Sequence, residues 1–363
     1  MKIEIWSDVM CPFCYIGKRH LEQALAELPF KAAIEIDWKS YQLNPTYKNV
    51  DGDSLYDYLA THKGISQEQA KQMTTQVEAM ANNVGLTIDF ENNIPANSFD
   101  AHRLIHFAAS KAVGESVENP LLYYENNISA LIYVLQELTK LPSANFIFSS
   151  SCTVYGQAEK MPITEDAPIQ TAMSPYGNTK QIGEEIITDT SKVSALNAIL
   201  LRYFNPIGAH KSAEIGELPL GVPQNLVPFI TQTAMGLRKE LSVYGNDYRT
   251  IDGTAVRDYI HVVDLAKAHV IAMQRLLNKK NTDSVETFNL GTGKGSSVLE
   301  VIQSFEKVTG QKLNYKIVGR REGDITEAYA NTDKANRILG WKAASSLDDS
   351  LASAWKWEQK IRS

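Results

Sequence analysis

The sequence predicts an α/β protein built on parallel strands, and three observations predict it. Short apolar runs, Phe146-Ile147-Phe148 and Ala198 to Tyr203 among them, alternate with helical stretches such as Thr179 to Thr188 and Val298 to Thr309. That order is the one that yields a parallel sheet. The first hundred residues carry the same alternation, with apolar side chains at every second position in Ile3 and Ile5 and again in Ile34, Ile36 and Trp38. The 363 residues are 44% apolar and 21% charged, enough to build about two globular cores.

Taken in order, a half-buried strand at Ile3–Ile5 leads to a helix marked by Leu21, Ala24, Leu25 and Leu28, and a second strand follows over Ile34–Trp38. Ser66 with Gln69 forms a capping box, Met73, Val77, Met80 and Val84 make a helical stripe, and Gly85 is the stop signal. A further helix is expected from Asn97 or Ser98 through His102 and Ile105. From about residue 106 the texture changes: the Phe146–Phe148 strand ends in Ser149-Ser150-Ser151, and further strands are expected over Asp258 to Val263 and Thr287 to Leu290. The chain has no fixed-period repeat, no low-complexity tract and no Gly/Ser/Pro linker between the two textures.

Charge narrows the function classes. Lys plus Arg is 36 against 42 for Asp plus Glu, a net charge of −6 without a basic block, so nucleic acid is not an expected partner. No apolar run approaches the ~18 residues of a membrane span. The first residues read as a strand rather than a secretory signal, so the expected compartment is the cytoplasm and no membrane partner is expected. Three cysteines do not make a disulfide framework.

Cys11-Pro12-Phe13-Cys14 follows a strand and opens a helix. Unpaired amides and the helix dipole there favour a thiolate, so Cys11 is expected to attack with a lowered pKa and Cys14 to resolve. Half of a zinc site and a pair of ordinary core thiols are the alternatives; zinc would need four ligands, and no second close pair exists. Around this motif, Ile5 to Gly17, Tyr41-Gln42-Leu43-Asn44-Pro45 and Asn97 to Leu104 resemble the first half of a DsbA-like thioredoxin-fold protein of the cytoplasmic polyketide-biosynthesis-associated type. The resemblance ends near residue 105. The family's later strands and the cis-proline loop facing the cysteines do not follow; Gly221-Val222-Pro223 belongs to other surroundings. His102 lies in the matched stretch and reads as structural.

Tyr176 and Lys180 are four residues apart on one helix face. A neighbouring ammonium favours the phenolate and so lowers a tyrosine pKa, making a base for an alcohol proton. Ser151 ends a strand, where ligands of parallel sheets bind, and can hydrogen-bond the same oxygen. Such a trio suits dehydrogenation of a secondary alcohol beside a nicotinamide. With the flanking motifs Lys111 to Ser116, Asn126-Asn127, Tyr203-Phe204-Asn205-Pro206, Gln224 to Pro228, Gly245 to Tyr248, Val256 to Val262 and Arg320 to Asp324, residues from about 106 onward resemble the UDP-glucose 4-epimerase family of extended short-chain dehydrogenases/reductases.

That resemblance implies a mechanism and a set of roles. Tyr176 takes the sugar 4-hydroxyl proton, Lys180 tunes it and holds the nicotinamide ribose, and Ser151 assists at the reacting oxygen. Hydride passes from sugar C4 to NAD and returns to the other face. Phe107, Lys111, Asn126 and Tyr203 would contact the cofactor. Asn205, Asn225, Leu226, Tyr244, Arg257, Arg321 and Asp324 would hold UDP, the two guanidinium groups suiting diphosphate oxygens. Ala328 would line the sugar pocket near the 2-substituent, its small side chain leaving room for UDP-N-acetyl sugars. A homodimer is the implied assembly. Cys152 is given no chemistry.

A cofactor half of this kind opens with a strand, a glycine-rich turn and a helix, followed by an acid for the adenosine ribose. The one Gly-rich candidate, Gly291-Thr292-Gly293-Lys294-Gly295, lies far downstream of Tyr176 and reads as a tight strand-to-helix turn. The chain thus reads as a fusion of two incomplete domains. Residues 1–105 form a partial DsbA-like thioredoxin-fold segment with a helical insert. Residues 106–205 form the remaining half of an N-terminally truncated Rossmann-type NAD-binding domain. Residues 206–363 form mainly a smaller UDP-sugar-binding domain, with some strands returning to the Rossmann sheet. The expected function is UDP-glucose/UDP-galactose 4-epimerisation, weakened by the missing turn. Thiol–disulfide exchange through Cys11 and Cys14 and a non-catalytic UDP-sugar-binding remnant are the alternatives.

Overall fold

The structure is a computed structural model that describes residues 2–7, 11–26, 35–40, 54–91, 105–107, 109–219, 221–321 and 324–362. It divides into two compact units, Met1–Leu104 and Ile105–Ser363.

In the first unit, β1 (Lys2–Ser7) leads through α1 (Pro12–Ala26) to β2 (Glu35–Ser40), then α2 (Leu55–Lys63) and α3 (Gln67–Asn82) follow. β1 and β2 pair in parallel from Lys2↔Glu35 to Ser7↔Ser40, which a tight turn cannot connect and a helical crossover can. The expected capping box is formed at α3: Gln69 N donates to Ser66 Oγ at 3.1 Å and Ser66 N to Gln69 Oε1 at 2.9 Å. The buried face of α3 is rotated from the expected stripe. Ala70, Thr74, Val77 and Ala81 face inward, while Met80 is exposed, because small residues let the helix approach Ile16, Val84, Leu86 and Phe90. Leu28 and Ile34 lie outside the described residues, as do 97–104 of the expected last helix. Its end is corrected: Ile105 is in a strand, paired with Ile147, where a β-branched residue extends an apolar sheet.

The second unit opens with that strand, β3 (Ile105–His106), then α4 (Val113–Glu118), α5 (Pro120–Tyr124), a π-helical turn at Glu125–Ser129 and α6 (Ala130–Leu138). β4 (Ala144–Ser151), a 3-10 turn (Cys152–Tyr155), α7 (Pro175–Lys192), β5 (Leu196–Tyr203), β6 (Asn205–Ile207), α8 (Leu226–Ala234), β7 (Leu241–Tyr244), β8 (Val256–Arg257) and β9 (Tyr259–His261) come next. The chain finishes with α9 (Val262–Leu277), β10 (Val285–Leu290), β11 (Ser296–Ser297), α10 (Val298–Thr309), β12 (Tyr315–Val318), β13 (Glu327–Ala328), a second π-helical turn at Ala335–Leu339 and α11 (Leu347–Arg362).

Four parallel strands in the order β10-β5-β4-β3 form the main sheet. Both faces are covered, as parallel sheets require. Phe146, Phe148, Ala198 and Leu200 pack with Leu131, Leu135 and Ile187 on one side. Ile147, Ile199 and Leu201 pack with Ala268, Ala272 and Trp341 on the other. The smaller pairings are β7–β12, β6–β9 and β11-β8-β13, and a separate core that includes Ile207, Val243, Ile230, Phe305 and Leu351 draws on the first two. No described helix is long and apolar enough to cross a membrane.

Gly183 tests the packing of α7 on the sheet. A methyl group there would lie 2.8 Å from Phe148 Cζ and 3.3 Å from Leu131 Cδ2. Alanine ordinarily stabilises a helix by about 1 kcal/mol over glycine. Here the overpacking is expected to win, so Gly183→Ala lowers stability by about 1–3 kcal/mol in denaturant unfolding; a gain would show that the layer can relax.

Candidate active site

Eight apolar-to-polar residues of β4 end at Ser151, and the chain turns there because Ser151 Oγ accepts from Thr153 N at 3.2 Å. Ser174 caps α7, its hydroxyl accepting from Gly177 N at 3.1 Å, which sets Tyr176 and Lys180 on the first turns. The three expected side chains are brought together. The Ser151 hydroxyl is near enough to the Tyr176 phenol to favour its ionised form. Lys180 Nζ lies 5.8 Å from the Tyr176 ring centroid and donates to Ser149 O at 2.7 Å.

The electrostatics differ from the sequence expectation. Burial raises the Tyr176 phenol to about 12, with the Ser151 hydroxyl only partly opposing it. Burial also lowers Lys180 to about 8, against the support of Glu184. Desolvation therefore dominates both shifts, and a lysine near 8 is already neutral at the pH where a phenol near 12 ionises, so no ammonium is left to favour the phenolate there. His106 Nε2, inward from β3, has no hydrogen-bond partner among the described residues. Burial, reinforced by Lys180, holds its pKa near 4 and keeps it neutral.

The expected cofactor residues gather around the same strand ends. Asn127 clamps the segment after β3: its Oδ1 accepts from Ser110 N at 2.7 Å, and its Nδ2 donates to Ser110 O and Thr179 Oγ1, each at 3.0 Å. Asn126 Nδ2 reaches Ser110 Oγ at 3.1 Å. Tyr203 donates to His269 Nε2 at 2.5 Å, an assignment fixed because His269 Nδ1 lies 2.8 Å from Leu265 O and must donate there. Phe107 is exposed and lies 5.0 Å from the His269 ring.

On the expected UDP side, Arg321 donates to Asp324 Oδ1 at 2.8 Å and sits 5.5 Å from the Tyr244 ring. Asn225 precedes α8, whose first residue is Leu226, without a side-chain capping bond, and donates to Glu217 Oε1 at 2.9 Å; Lys111 Nζ stands 3.5 Å from the same oxygen. Arg257 Nη1 is spent on Val256 O, and Asn205 pairs with Tyr259. Among the described residues no hydrogen bond joins these two to the Arg321–Asp324 pair.

The glycine turn after β10 wraps a carboxylate. Asp258 Oδ1 accepts from Thr292 N at 2.8 Å and Thr292 Oγ1 at 2.6 Å, and Oδ2 from Gly293 N and Ala330 N, each at 3.1 Å. A side chain on Gly291 would meet Asp258 Oδ2 at 2.3 Å, and Gly293 has a φ of +79°. The tight-turn reading of this segment therefore holds.

Sequence reasoning missed the buried partners behind the trio: Ser150, Glu184, Arg202, Tyr155 and Asn289. The available signals were Glu184 four residues after Lys180 and a lone arginine inside the apolar run Ala198–Tyr203.

Two family profiles match the chain, and they overlap over residues 65–126. One for GDP-mannose 4,6 dehydratase matches residues 65–354, and one for a DSBA-like thioredoxin domain matches residues 2–126. UDP-glucose 4-epimerase 3 of Oryza sativa subsp. japonica is 47% identical over 289 residues, which is 79% of this chain and 76% of that protein. UDP-glucose 4-epimerase of Mus musculus is 49% identical over 265 residues, 73% of this chain and 75% of that protein. The chain belongs to the UDP-glucose 4-epimerase family. Among solved structures of that family, the Stenotrophomonas maltophila enzyme with bound NAD and formylated UDP-arabinopyranose superposes with a TM-score of 0.69 at 36% identity, covering 100% of this chain and 99% of that one. The Bifidobacterium longum UDP-glucose 4-epimerase in complex with NAD+ and UDP gives 0.68 at 37% identity with the same coverage.

In the first unit, Cys14 N donates to Cys11 Sγ at 3.3 Å, the amide expected at a helix start. Its lowering effect on the thiol is outweighed. Burial and the side-chain hydrogen bond with Cys14 push Cys11 up to about 11. Burial likewise raises Cys152 to about 12. The expectation of an activated Cys11 is thereby corrected. At pH 8 a thiol with that pKa is ionised to roughly one part in a thousand, so alkylation of Cys11 should be slow and should keep rising with pH above 9. A rate already level at pH 7, followed by mass spectrometry, would contradict the burial argument.

Proposed function

We propose that the second unit carries UDP-glucose/UDP-galactose 4-epimerase chemistry, and that NAD is its cofactor. The observation that carries this reading is Lys180 beside the Tyr176 ring, its Nζ anchored to Ser149 O where β4 ends in Ser151. Relatives of the same family are described with NAD and UDP bound, which supports it.

The residues present fit the nicotinamide side of the cofactor. Lys180 has one N–H committed to Ser149 O, leaving others for ribose hydroxyls; Phe107, Asn126 and Tyr203 are the further candidates, and Lys111, which stands at Glu217, is the fourth. When bound, NAD supplies the acceptor and donor of the hydride at sugar C4. Tyr176 Oη accepts the 4-hydroxyl proton and Ser151 Oγ holds that oxygen in line. A phenol near 12 keeps its own proton at neutral pH and cannot act as the base, so the cationic neighbourhood of the bound state must lower that value. Arg257, Arg321 and Asn225, with Asn205, Leu226, Tyr244 and Asp324, bind and orient the UDP moiety. The proposed domains are 1–105, 106–205 and 206–363.

The adenosine side lacks a glycine turn: before residue 105 the only glycines are Gly17, Gly52, Gly64 and Gly85. Without those amides on the pyrophosphate, the purified chain should release little NAD on denaturation and convert UDP-galactose slowly with added NAD⁺. Near-stoichiometric NAD and turnover of ~1 s⁻¹ or faster, an ordinary enzyme rate, would overturn the weak-cofactor reading.

Ala328 is small and packs into the buried cluster of Val154, Tyr155 and Phe204, and its place at the sugar 2-substituent is what the family resemblance implies. UDP-N-acetylglucosamine should therefore bind within tenfold of UDP-glucose, about 1.4 kcal/mol; stronger discrimination in calorimetry would remove the roomy-pocket assignment. A homodimer is supported by exposed Leu121, Leu122, Ile132 and Tyr133 along α5 and α6, and a monomer mass in sedimentation would refute it. Thiol–disulfide exchange through Cys11 and Cys14 is the second reading, favoured by the thioredoxin-domain match.

A further inference from the structure

Behind the trio lies a buried ion pair with an unusual set of partners. Glu184 is one turn beyond Lys180 in α7, and Arg202 is next to Tyr203 in β5. Arg202 Nε donates to Glu184 Oε1 at 2.9 Å and Nη2 to Oε2 at 2.6 Å, a bidentate fork. The two side chains are 7% and 10% exposed. Ser150, adjacent to Ser151, donates to Glu184 Oε1 at 2.5 Å. Arg202 Nη1 donates to Tyr155 Oη at 2.8 Å, and Tyr155 donates to Asn289 Oδ1 at 2.7 Å.

Burying such a pair costs as much solvation as its attraction returns, and apolar replacements of similar volume are often neutral. Its effect therefore lies in the geometry it fixes. One carboxylate ties the end of β4 to one face of α7, while its partner ties both to β5, the 3-10 turn and β10. These are the elements that carry Ser151, Tyr176, Lys180 and Tyr203.

We propose that Glu184 and Arg202 are positioning residues for the Ser151–Tyr176–Lys180 trio, holding strand end and helix in register and keeping a carboxylate beside the Lys180 ammonium. The proposal rests on the reading of that trio given above. The groups facing Lys180 are Tyr176 and Glu184 from α7, His106 from β3 and the Ser149 carbonyl and Phe148 ring from β4. Glu184 is the carboxylate among them, so its removal should favour the neutral amine.

The test is a ¹⁵N titration of the Lys180 side chain in the full-length chain, assigned by loss of the signal in Lys180→Met. The parent midpoint is expected near 8. In Glu184→Gln it should fall by about one pH unit. Because that variant strands a buried guanidinium, Glu184→Leu/Arg202→Met is made beside it; it should melt like the parent and also show the lowered midpoint. Midpoints unchanged in both variants would overturn the proposal, and so would failure of both to fold, which would make the pair a requirement of the fold alone. UDP calorimetry on the parent separates the two claims. Absence of UDP binding sinks the functional reading, whereas an unmoved midpoint counts only against the pair.

Discussion

The eight-residue parallel register between β4 and β5, Ala144↔Leu196 to Ser151↔Tyr203, is the constraint on which the second unit depends. Each strand is buried on both faces, so a slip by one residue would send Phe146 and Phe148 into the layer that holds Ile147 and Leu201. The register also brings both strands to their ends together. Ser149 to Ser151 and Arg202 to Tyr203 emerge at one level, where the apolar layers stop and polar groups need partners. The carbonyl of Ser149, the hydroxyl of Ser150 and the guanidinium of Arg202 each find one on α7 or its flanks. Placement of the reactive hydroxyls is thus a consequence of how the sheet terminates.

Much of this was legible in the sequence because it is local. Alternating apolar residues marked the strands, the Ser66–Gln69 spacing marked a helix start, and the four-residue step from Tyr176 to Lys180 marked a shared face. What stayed hidden depends on burial and distant partners. The phenol of Tyr176 and the thiol of Cys11 are raised because surroundings exclude water, a quantity that spacing does not carry. Arg202 and Glu184 are 18 residues apart and Tyr155 and Asn289 are 134 apart. Ile105 looked helical from its neighbours but follows the apolar edge of β4. Met80 suited a stripe that smaller residues on the same helix in fact occupy.

The division of charge within the second unit bears on which ligand part it holds best. The residues proposed to hold uridine diphosphate include two arginines, a tyrosine and the start of α8. Those proposed for the dinucleotide address its reacting end. Binding energy from a remote part of a ligand ordinarily offsets the cost of orienting the part that reacts. A chain that grips the sugar nucleotide firmly and the cofactor at one end only would lose orientation rather than chemistry, with the groups that handle protons still in place.

Asp258 draws out a different consequence. Successive amides in a glycine turn make a concavity that attracts anions, and here Thr292, Gly293 and Ala330 direct theirs at a carboxylate from a neighbouring strand segment. The anion is built into the chain. The turn is a filled socket: it binds its own tethered plug at an effective concentration no diffusing phosphate could match, and a negative charge already occupies the position a second anion would need. By staying plugged it ties the segment after β10 to the strands around β8 and β13, turning a motif shaped for capture into a rivet.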